Sequence, residues 1–146
     1  MKKGFTLIEL LVVIAIIGIL SSVVLASLSS ARQKAFDTKV KTQLNQIKNG
    51  AEIYYTSNFN YGVQTYSCSS TTVGGMFADT GSGLSKLGTS ANYPVGENTI
   101  ICNVATSGQA YAVSDNLLAT STYWCVDSTG ASRQESTSLG SSTVCQ

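Results

Sequence analysis

The feature that most constrains this chain is a long uncharged segment near its N-terminus. The 22 residues from Leu10 to Ala31 carry no charge, and 19 of the 27 residues from Phe5 to Ala31 are apolar. Basic residues flank the segment on both sides. A helix that crosses a bilayer needs about 20 such residues. The segment therefore predicts a helix that lies in lipid or against other helices.

Two common interpretations of such a segment leave one residue unexplained. A secretory signal peptide has a short basic start and an apolar stretch, and residues 24–26 before Ser27 offer a cleavage point for one. A plain membrane anchor of an extracellular domain is the second interpretation. Glu9 lies inside the apolar stretch, where a charge costs roughly 2.5–3.5 kcal/mol at a helix centre and less near an end. Glu9 therefore argues against both interpretations.

The helical pattern continues past Arg32, but its apolar residues now fall on one face. Their spacing of three or four residues is that of a single helix stripe, which consists of Phe36, Val40, Leu44, Ile47, Ala51 and Tyr54. The polar residues between them, Asp37 included, are expected on a wet or partner-facing side. No proline interrupts residues 5–56, which predicts a continuous helix of about 78 Å at 1.5 Å per residue. Such a rod needs lipid or other helices around its first half and a body against its second half.

The remainder of the chain has the pattern of a small β domain. Residues 99–104, 109–115 and 121–127 are short runs rich in β-branched and aromatic residues, separated by turns that contain glycine. They predict an antiparallel meander of three or four strands, with one face on the helix stripe. In the last run, Tyr123 and Trp124 are expected on opposite faces, one buried and one exposed. Residues 62–98 predict a long connecting loop, with a short helix around Met76–Leu87.

All four cysteines lie in this β domain, at Cys68, Cys102, Cys125 and Cys145. The chain has no histidine and no Cys-x-x-Cys pair, so a zinc site is disfavoured. Two disulfides in an oxidising compartment are expected instead. Three connectivities are possible, and we favour Cys68 with Cys102 and Cys125 with Cys145. The first would tie the long loop to the sheet, and the second would hold the C-terminal tail.

Composition and motifs argue against an enzyme, a cofactor or a nucleic-acid partner. Without histidine the chain has no Ser-His-Asp triad, and a net charge of +1 gives no basic footprint for nucleic acid. Residues 80–86 (TGSGLSK) lack the ending of a phosphate-binding loop. Asp115 and Asn116 are weak candidates for calcium, because no loop with ligand spacing surrounds them. The acidic residues of the β domain are expected to be solvated rather than catalytic, and they are Asp79, Glu97, Asp115, Asp127 and Glu135.

Residues 2–13 (KKGFTLIELLVV) resemble the class III signal of type IV pilins and pseudopilins. The resemblance lies in a basic leader, a glycine, a phenylalanine and a glutamate four residues further on, ahead of an apolar run. It implies that a prepilin peptidase cuts between Gly4 and Phe5 and methylates the new N-terminus at Phe5. It also implies that Glu9 is the assembly glutamate. Our hypothesis is that Glu9 pairs with the Phe5 amine of a neighbouring subunit, whereas the alternative is that Glu9 only caps its own helix.

The resemblance implies an α+β fold with four segments. Residues 1–4 are the leader, 5–31 the transmembrane and filament-core helix, 32–57 the amphipathic helix, and 58–146 a β head with two disulfides. The implied function is the major subunit of a type IV pilus, which is membrane-bound before assembly and on the cell surface afterwards. Its implied partners are identical subunits, prepilin peptidase and the inner-membrane assembly machinery. A type II secretion pseudopilin and a monomeric, membrane-anchored binding domain are the alternatives.

Overall fold

The computed structural model describes residues 4–63, 68, 75–93 and 100–146. One long helix, α1 (Leu7–Asn58), packs on a four-stranded antiparallel sheet, so the predicted α+β fold is confirmed. Between them lie two 3₁₀ turns and a short helix, which are Met76–Ala78, Ser90–Asn92 and α2 (Leu84–Leu87). The leader residues 1–3 and much of the predicted long loop, with Glu97 and Thr99, lie outside the described residues.

Helix α1 is continuous over 52 residues, but only its C-terminal part is covered by the rest of the chain. Every residue from 7 to 36 is exposed, and the first buried residue is Asp37. The predicted stripe is confirmed at four positions that are almost completely buried, namely Val40, Leu44, Ile47 and Ala51. Phe36, predicted to belong to it, is 40% exposed, because it lies one residue before the head begins to cover the helix.

The prediction that Asp37 lies on a wet or partner-facing side of the helix is wrong. Its side chain is 7% exposed, and its carboxylate accepts hydrogen bonds from the backbone of the turn between the second and third strands. Leu118 N–H donates to Oδ1 at 2.6 Å, and Ala119 N–H donates to Oδ2 at 3.2 Å. Asp37 therefore fastens the start of the covered helix to a turn 81 residues away in sequence.

The sheet is the predicted meander. Its strands are β1 (Ile101–Val104), β2 (Tyr111–Leu117), β3 (Thr122–Asp127) and β4 (Ser132–Glu135), in the order β1-β2-β3-β4. The inner face packs on α1 and contributes buried apolar side chains to the core, which include Val104, Tyr111, Val113, Leu117 and Val126. Strand β4 (SRQE) has no apolar residue, which explains why no fourth strand could be located from the hydrophobic pattern.

Tyr123 and Trp124 are both half-buried, so the expectation of one buried and one exposed ring is wrong. They do lie on opposite faces of β3, because Trp124 is opposite Asp115 and Tyr123 is opposite Asn116 in the β2–β3 register. The Lys41 ammonium lies 4.8 Å from the centre of the Trp124 ring. The Lys41 ammonium group retains its water, so the Trp124 ring beneath it lies at the edge of the core rather than inside it.

The C-terminal tail crosses the outer face of the sheet and is held there by polar contacts. The Asn103 amide donates to the carbonyls of Gly140 and Ser142, at 2.9 and 2.6 Å. At its end, Cys145 N–H donates to Asp127 at 2.8 Å, and the Cys145 carbonyl accepts from Arg133 at 2.7 Å. The tail therefore covers a sheet face that has few apolar side chains of its own.

Two disulfides complete the head. They join Cys68 to Cys102 and Cys125 to Cys145, the pairs favoured on the sequence. Cys102 is opposite Val113 on the inner face of the sheet, and Cys125 is opposite Ser114 on the outer face. Each face of the sheet is thus tied covalently to a segment without strands, the long loop on one side and the tail on the other.

Candidate functional site

The segment that precedes α1 carries the predicted processing residues. Gly4, Phe5 and Thr6 are exposed and belong to no helix or strand. The Phe5 side chain is 88% exposed, and a Cβ added to Gly4 would meet no atom within 4 Å. The Gly4–Phe5 peptide bond is thus an accessible, irregular stretch of backbone, as a cleavage site requires.

Glu9 and Thr6 together cap the start of α1. The Glu9 carboxylate oxygen Oε2 accepts from Thr6 N–H at 2.9 Å and from Thr6 Oγ1 at 2.7 Å. In return Glu9 N–H donates to Thr6 Oγ1 at 3.3 Å. This reciprocal pair is a capping box, and a carboxylate here also meets the positive end of the helix dipole.

The capping box shows that Glu9 caps its own helix. On the sequence, this cap was the alternative to pairing with a neighbouring subunit. Both described contacts use Oε2, and no hydrogen bond from a described residue reaches Oε1. Thr6 itself was missed as a site residue. The signal was available, because Thr6 and Glu9 have the Ser/Thr-x-x-Glu spacing of a capping box ahead of an apolar run.

The surface around Glu9 is apolar. Phe5, Ile8, Val12 and Val13 line a shallow, open groove with Glu9 beside the first turns of the helix. Helix α1 is long and apolar enough to cross a membrane. Glu9 is the single ionisable side chain between residues 5 and 31, so it is the residue for which removal from water would be most costly.

Asp115 and Asp127, which were expected to be solvated, are both fully buried. Asp115 lies on the inner face of the sheet. Its Oδ1 accepts from Asn116 N–H at 2.9 Å, and its Oδ2 has no hydrogen-bond partner in the part of the chain that the structure describes. Burial raises the pKa of Asp115 to about 6, although the Asn116 hydrogen bond lowers it. The Asp115 and Asn116 side chains lie on opposite faces of β2, so they cannot form one calcium site.

Asp127 lies on the outer face and has a different environment. Burial alone would raise its pKa, but hydrogen bonds from Thr129, Cys145 and Ala131 outweigh that effect and hold the pKa below its ordinary value. The Thr129 hydroxyl and N–H donate to Oδ1 at 2.6 and 2.9 Å. Asp127 therefore holds the β3–β4 turn and the C-terminal tail, which is a structural role.

A cluster of cysteines with a glutamate and the glycine-rich residues 80–86 also have structural roles. Within the described residues, Cys125, Glu135 and Cys145 come together as a possible metal-ligand set, but the two cysteine sulfurs are bonded to each other. In residues 80–86, Ser82 N–H donates to the Asp79 carboxylate at 2.6 Å. This turn leads into α2, which packs on α1, so the glycines of residues 80–86 serve a turn.

Comparisons with known proteins match part of the chain. The family described as "Prokaryotic N-terminal methylation motif" matches residues 1–25. The chain is 51% identical over 59 residues to the type IV wide pilus major component PilA4 of Thermus thermophilus, a match that covers 40% of this chain and 45% of that protein. It is 37% identical over 60 residues to type II secretion system core protein G of Escherichia coli, covering 41% of each chain.

The corresponding core protein G of Vibrio cholerae is 38% identical over 60 residues, again covering 41% of each chain. The chain thus spans less than half the length of these relatives, and no solved structure gives a significant match. Each of these matches extends over 59 or 60 residues of this chain. Residues 1–25 of this chain therefore carry the prokaryotic N-terminal methylation motif, and the chain is similar over 59–60 residues to a major component of a type IV pilus and to type II secretion core protein G.

Proposed function

We propose that this chain is the major subunit of a type IV pilus, which is cut after Gly4 and assembles through its N-terminal helix. The observation that carries the proposal is the N-terminal part of α1. Every residue from 7 to 36 is exposed, and apolar side chains surround the helix. A surface of this kind requires lipid or other copies of the same helix. The higher identity to a pilus component than to core protein G favours the pilus.

Before assembly, the precursor is held in the membrane by the apolar N-terminal part of α1. Lys2 and Lys3 stay on the cytoplasmic side and orient the helix, according to the positive-inside rule. Prepilin peptidase then cuts the Gly4–Phe5 bond and methylates the Phe5 amine. The exposure of Gly4 and Phe5 and the match of residues 1–25 to the methylation motif support this step. Cleavage removes the charges of Lys2 and Lys3 and moves the N-terminal amine from Met1 to Phe5.

Assembly places the helices against one another and removes Glu9 from contact with lipid headgroups and water. An unpaired buried carboxylate is strongly unfavourable, whereas a nearby amine compensates it. The Phe5 amine of a neighbouring subunit supplies that cation. Glu9 Oε1 is available for it, because the Thr6 cap uses Oε2. The pair selects the register of the helices as well as adding attraction, and the heads then form the outer surface of an extracellular filament.

The test compares two substitutions at the same cap in a strain that lacks the native copy. Glu9→Gln removes the charge, and Thr6→Ala removes the hydroxyl of the cap but keeps the Glu9 carboxylate. We expect Glu9→Gln to be processed and methylated, as mass spectrometry of Phe5 reports, yet to leave few filaments. Thr6→Ala is expected to retain most filaments. Normal piliation by Glu9→Gln would refute the pairing.

A type II secretion pseudopilin is the second candidate, because core protein G of several species matches this chain over 60 residues. Electron microscopy of sheared surface material separates the two. Long filaments that disappear on deletion of this chain support the pilus, whereas loss of secreted enzymes without surface filaments supports the pseudopilin. An intact Met1 on the native protein would instead indicate a membrane-anchored domain that is never processed.

A further inference from the structure

The head has two ends, and α1 connects them. We call the exposed residues 7–36 of α1 the stalk. At the end of the head from which the stalk extends, the stalk end, Asp37 binds the β2–β3 turn through Leu118 and Ala119. At the far end, α1 stops at Asn58, and Tyr61 N–H donates to the Gly108 carbonyl in the β1–β2 turn at 2.7 Å. From Asp37 to Phe59 the chain advances 22 residues, which is about 33 Å at 1.5 Å per residue.

The far end carries an exposed aromatic side chain on a fixed backbone. Phe59 N–H donates to the Tyr55 carbonyl at 2.7 Å, and the Phe59 carbonyl accepts from the Gln109 amide at 3.2 Å. Its φ of 56° is left-handed, a conformation that glycine adopts at helix ends far more readily. The ring is nevertheless 76% exposed, and Ile53 and Val63 at the same end are 59% and 53% exposed.

The stalk end carries a cleft of about 390 Å³ beside the β2–β3 turn. It is large enough for an aromatic side chain, and its lining consists of Asn116, Leu117, Leu118, Ser121 and Tyr123. The Asn116 amide oxygen is buried and has no hydrogen-bond partner among the described residues. The head thus presents an apolar projection at one end and a half-apolar recess at the other.

We propose that Phe59 of one subunit inserts into the cleft of the next subunit along the filament. The occupant is a second copy of this chain, because all copies enter the membrane in the same orientation, so their heads are parallel. A shift of about 33 Å along α1 then brings the far end of one head to the stalk end of another. This inference rests on the proposed function, since it requires a filament.

Charge complementarity supports the same shift. Glu52 lies about 10 Å below Phe59 along α1, and Arg32 lies about 8 Å below Asp37, at 1.5 Å per residue. Both residues are exposed, and Glu52 Oε1 accepts from the Tyr61 hydroxyl of its own chain at 3.0 Å. The shift that aligns Phe59 with the level of Asp37 in the next subunit therefore brings Glu52 to within about 3 Å of the level of that subunit's Arg32. Because the two contacting surfaces differ and each contact adds an axial shift of about 33 Å, the contact repeats without closing and extends into a filament.

The first test removes the ring without harming the backbone. Phe59→Gly suits the left-handed φ, so we expect the subunit in detergent to be as stable as the wild type or more so. Its filaments, in contrast, should break at lower shear and be several-fold fewer. A subunit that is clearly destabilised would show that the ring is covered by its own chain, and filaments as resistant as the wild type would show that the ring is not used. Either result would overturn the proposal.

The second test links the two ends covalently. Sheared filaments of Phe59→Cys/Ser121→Cys should give a ladder of dimers, trimers and longer products with a short thiol cross-linker. The matched control, Asn49→Cys/Ser121→Cys, places the thiol about 15 Å lower on α1 and should give no ladder. If the Phe59→Cys pair does not assemble while the Asn49→Cys pair does, the loss supports a contact at position 59. Wild-type cells without filaments would count against the proposed function, whereas assembled but unlinked filaments would overturn this contact alone.

A charge reversal completes the set. Glu52→Lys and Arg32→Glu should each lower piliation several-fold, and the double variant should recover most of it. Recovery distinguishes a direct pair from two separate effects on processing, which mass spectrometry of Phe5 monitors in each strain. Lack of recovery, with normal processing in all strains, would exclude the proposed shift between neighbouring heads.

Discussion

The two parts of α1 share one uninterrupted backbone but differ in what stabilises them. From residue 7 to 36 every side chain is exposed, whereas from residue 37 onward the stripe at Val40, Leu44 and Ile47 is buried against the head. Helix propensity alone supports a helix weakly, and packing of an apolar face contributes most of the stability. The head therefore covers only the second part of α1, and the described residues of this chain provide no such packing for the first part.

The largest difference between the two parts should come from truncating a leucine in each. Leu44→Ala removes a completely buried side chain and should lower the free energy of unfolding of the head by about 2–5 kcal/mol. Leu20→Ala, at a position that is 60% exposed, should leave it unchanged. Denaturation of the full chain in detergent, followed by the fluorescence of the single tryptophan, Trp124, measures both. Equal effects would mean that the stalk and the head unfold as one unit.

A buried carboxylate gives the head part a pH dependence of predictable sign. The pKa of Asp115 is raised to about 6 in the folded chain, so the folded state holds a proton that the unfolded state releases near pH 4. The stabilising contribution of this proton is complete below pH 4 and is lost as the pH rises to about 6. The loss amounts to about 3 kcal/mol.

The difference in unfolding free energy between the wild type and Asp115→Asn isolates this effect, because Asp127 acts in both proteins. Asp127 has a lowered pKa, so its contribution has the opposite sign and is lost on acidification. Denaturation curves at intervals from pH 4 to pH 7 are the measurement. A difference that does not change with pH would show that Asp115 keeps an ordinary pKa.

The boundary between the two parts of α1 should be sensitive at one residue. Asp37→Ala leaves the N–H groups of Leu118 and Ala119 without their acceptor and should cost about 1–3 kcal/mol of stability. Lys39→Ala, two residues further along on the exposed surface, should change stability by less than about 0.5 kcal/mol. The same denaturation measurement applies. If both variants are equally mild, the Asp37 contacts do not hold the turn to the helix.

The smallest expected effect compares the two interior glycines of α1. An added methyl at Gly50 would lie 2.9 Å from Leu84 Cδ2 and 3.2 Å from the Ser82 carbonyl. Overpacking of this kind costs about 1–3 kcal/mol, which the better helix propensity of alanine offsets by about 1 kcal/mol. Gly18 has no atom within 4 Å of such a methyl, so Gly18→Ala should leave the unfolding of the head unchanged. A stabilised Gly50→Ala variant would show that Leu84 moves freely.

The parts of the fold that depend on local periodicity could be predicted from the sequence. Helix α1, the buried Val40, Leu44 and Ile47, and the meander all follow from apolar residues at a spacing of three to four or two. The start of the site could have been predicted more fully, since the spacing of Thr6 and Glu9 already indicates a cap.

The parts that depend on contacts between distant residues could not be predicted. Asp37 is buried because it meets a turn 81 residues away, and nothing in the helical spacing shows that acceptor. Asp115 and Asp127 were expected in water, but their strands are covered on both faces by α1 and by the tail. Strand β4 forms by backbone pairing to β3, with a polar sequence that no hydrophobic pattern reveals.

The position of the disulfides has a mechanical consequence for a subunit that is pulled by its stalk. Neither disulfide includes a residue of α1, so the side-chain contacts that pack the head on the helix are all non-covalent. Tension along α1 first loads the Asp37 hydrogen bonds and the stripe beyond them, in shear. When these contacts break, the released part of the chain can extend only as far as Cys68. There the disulfide to Cys102 transmits the force directly to the sheet. The head can therefore release its helix and lengthen by a fixed amount under strain, while the sheet itself stays closed.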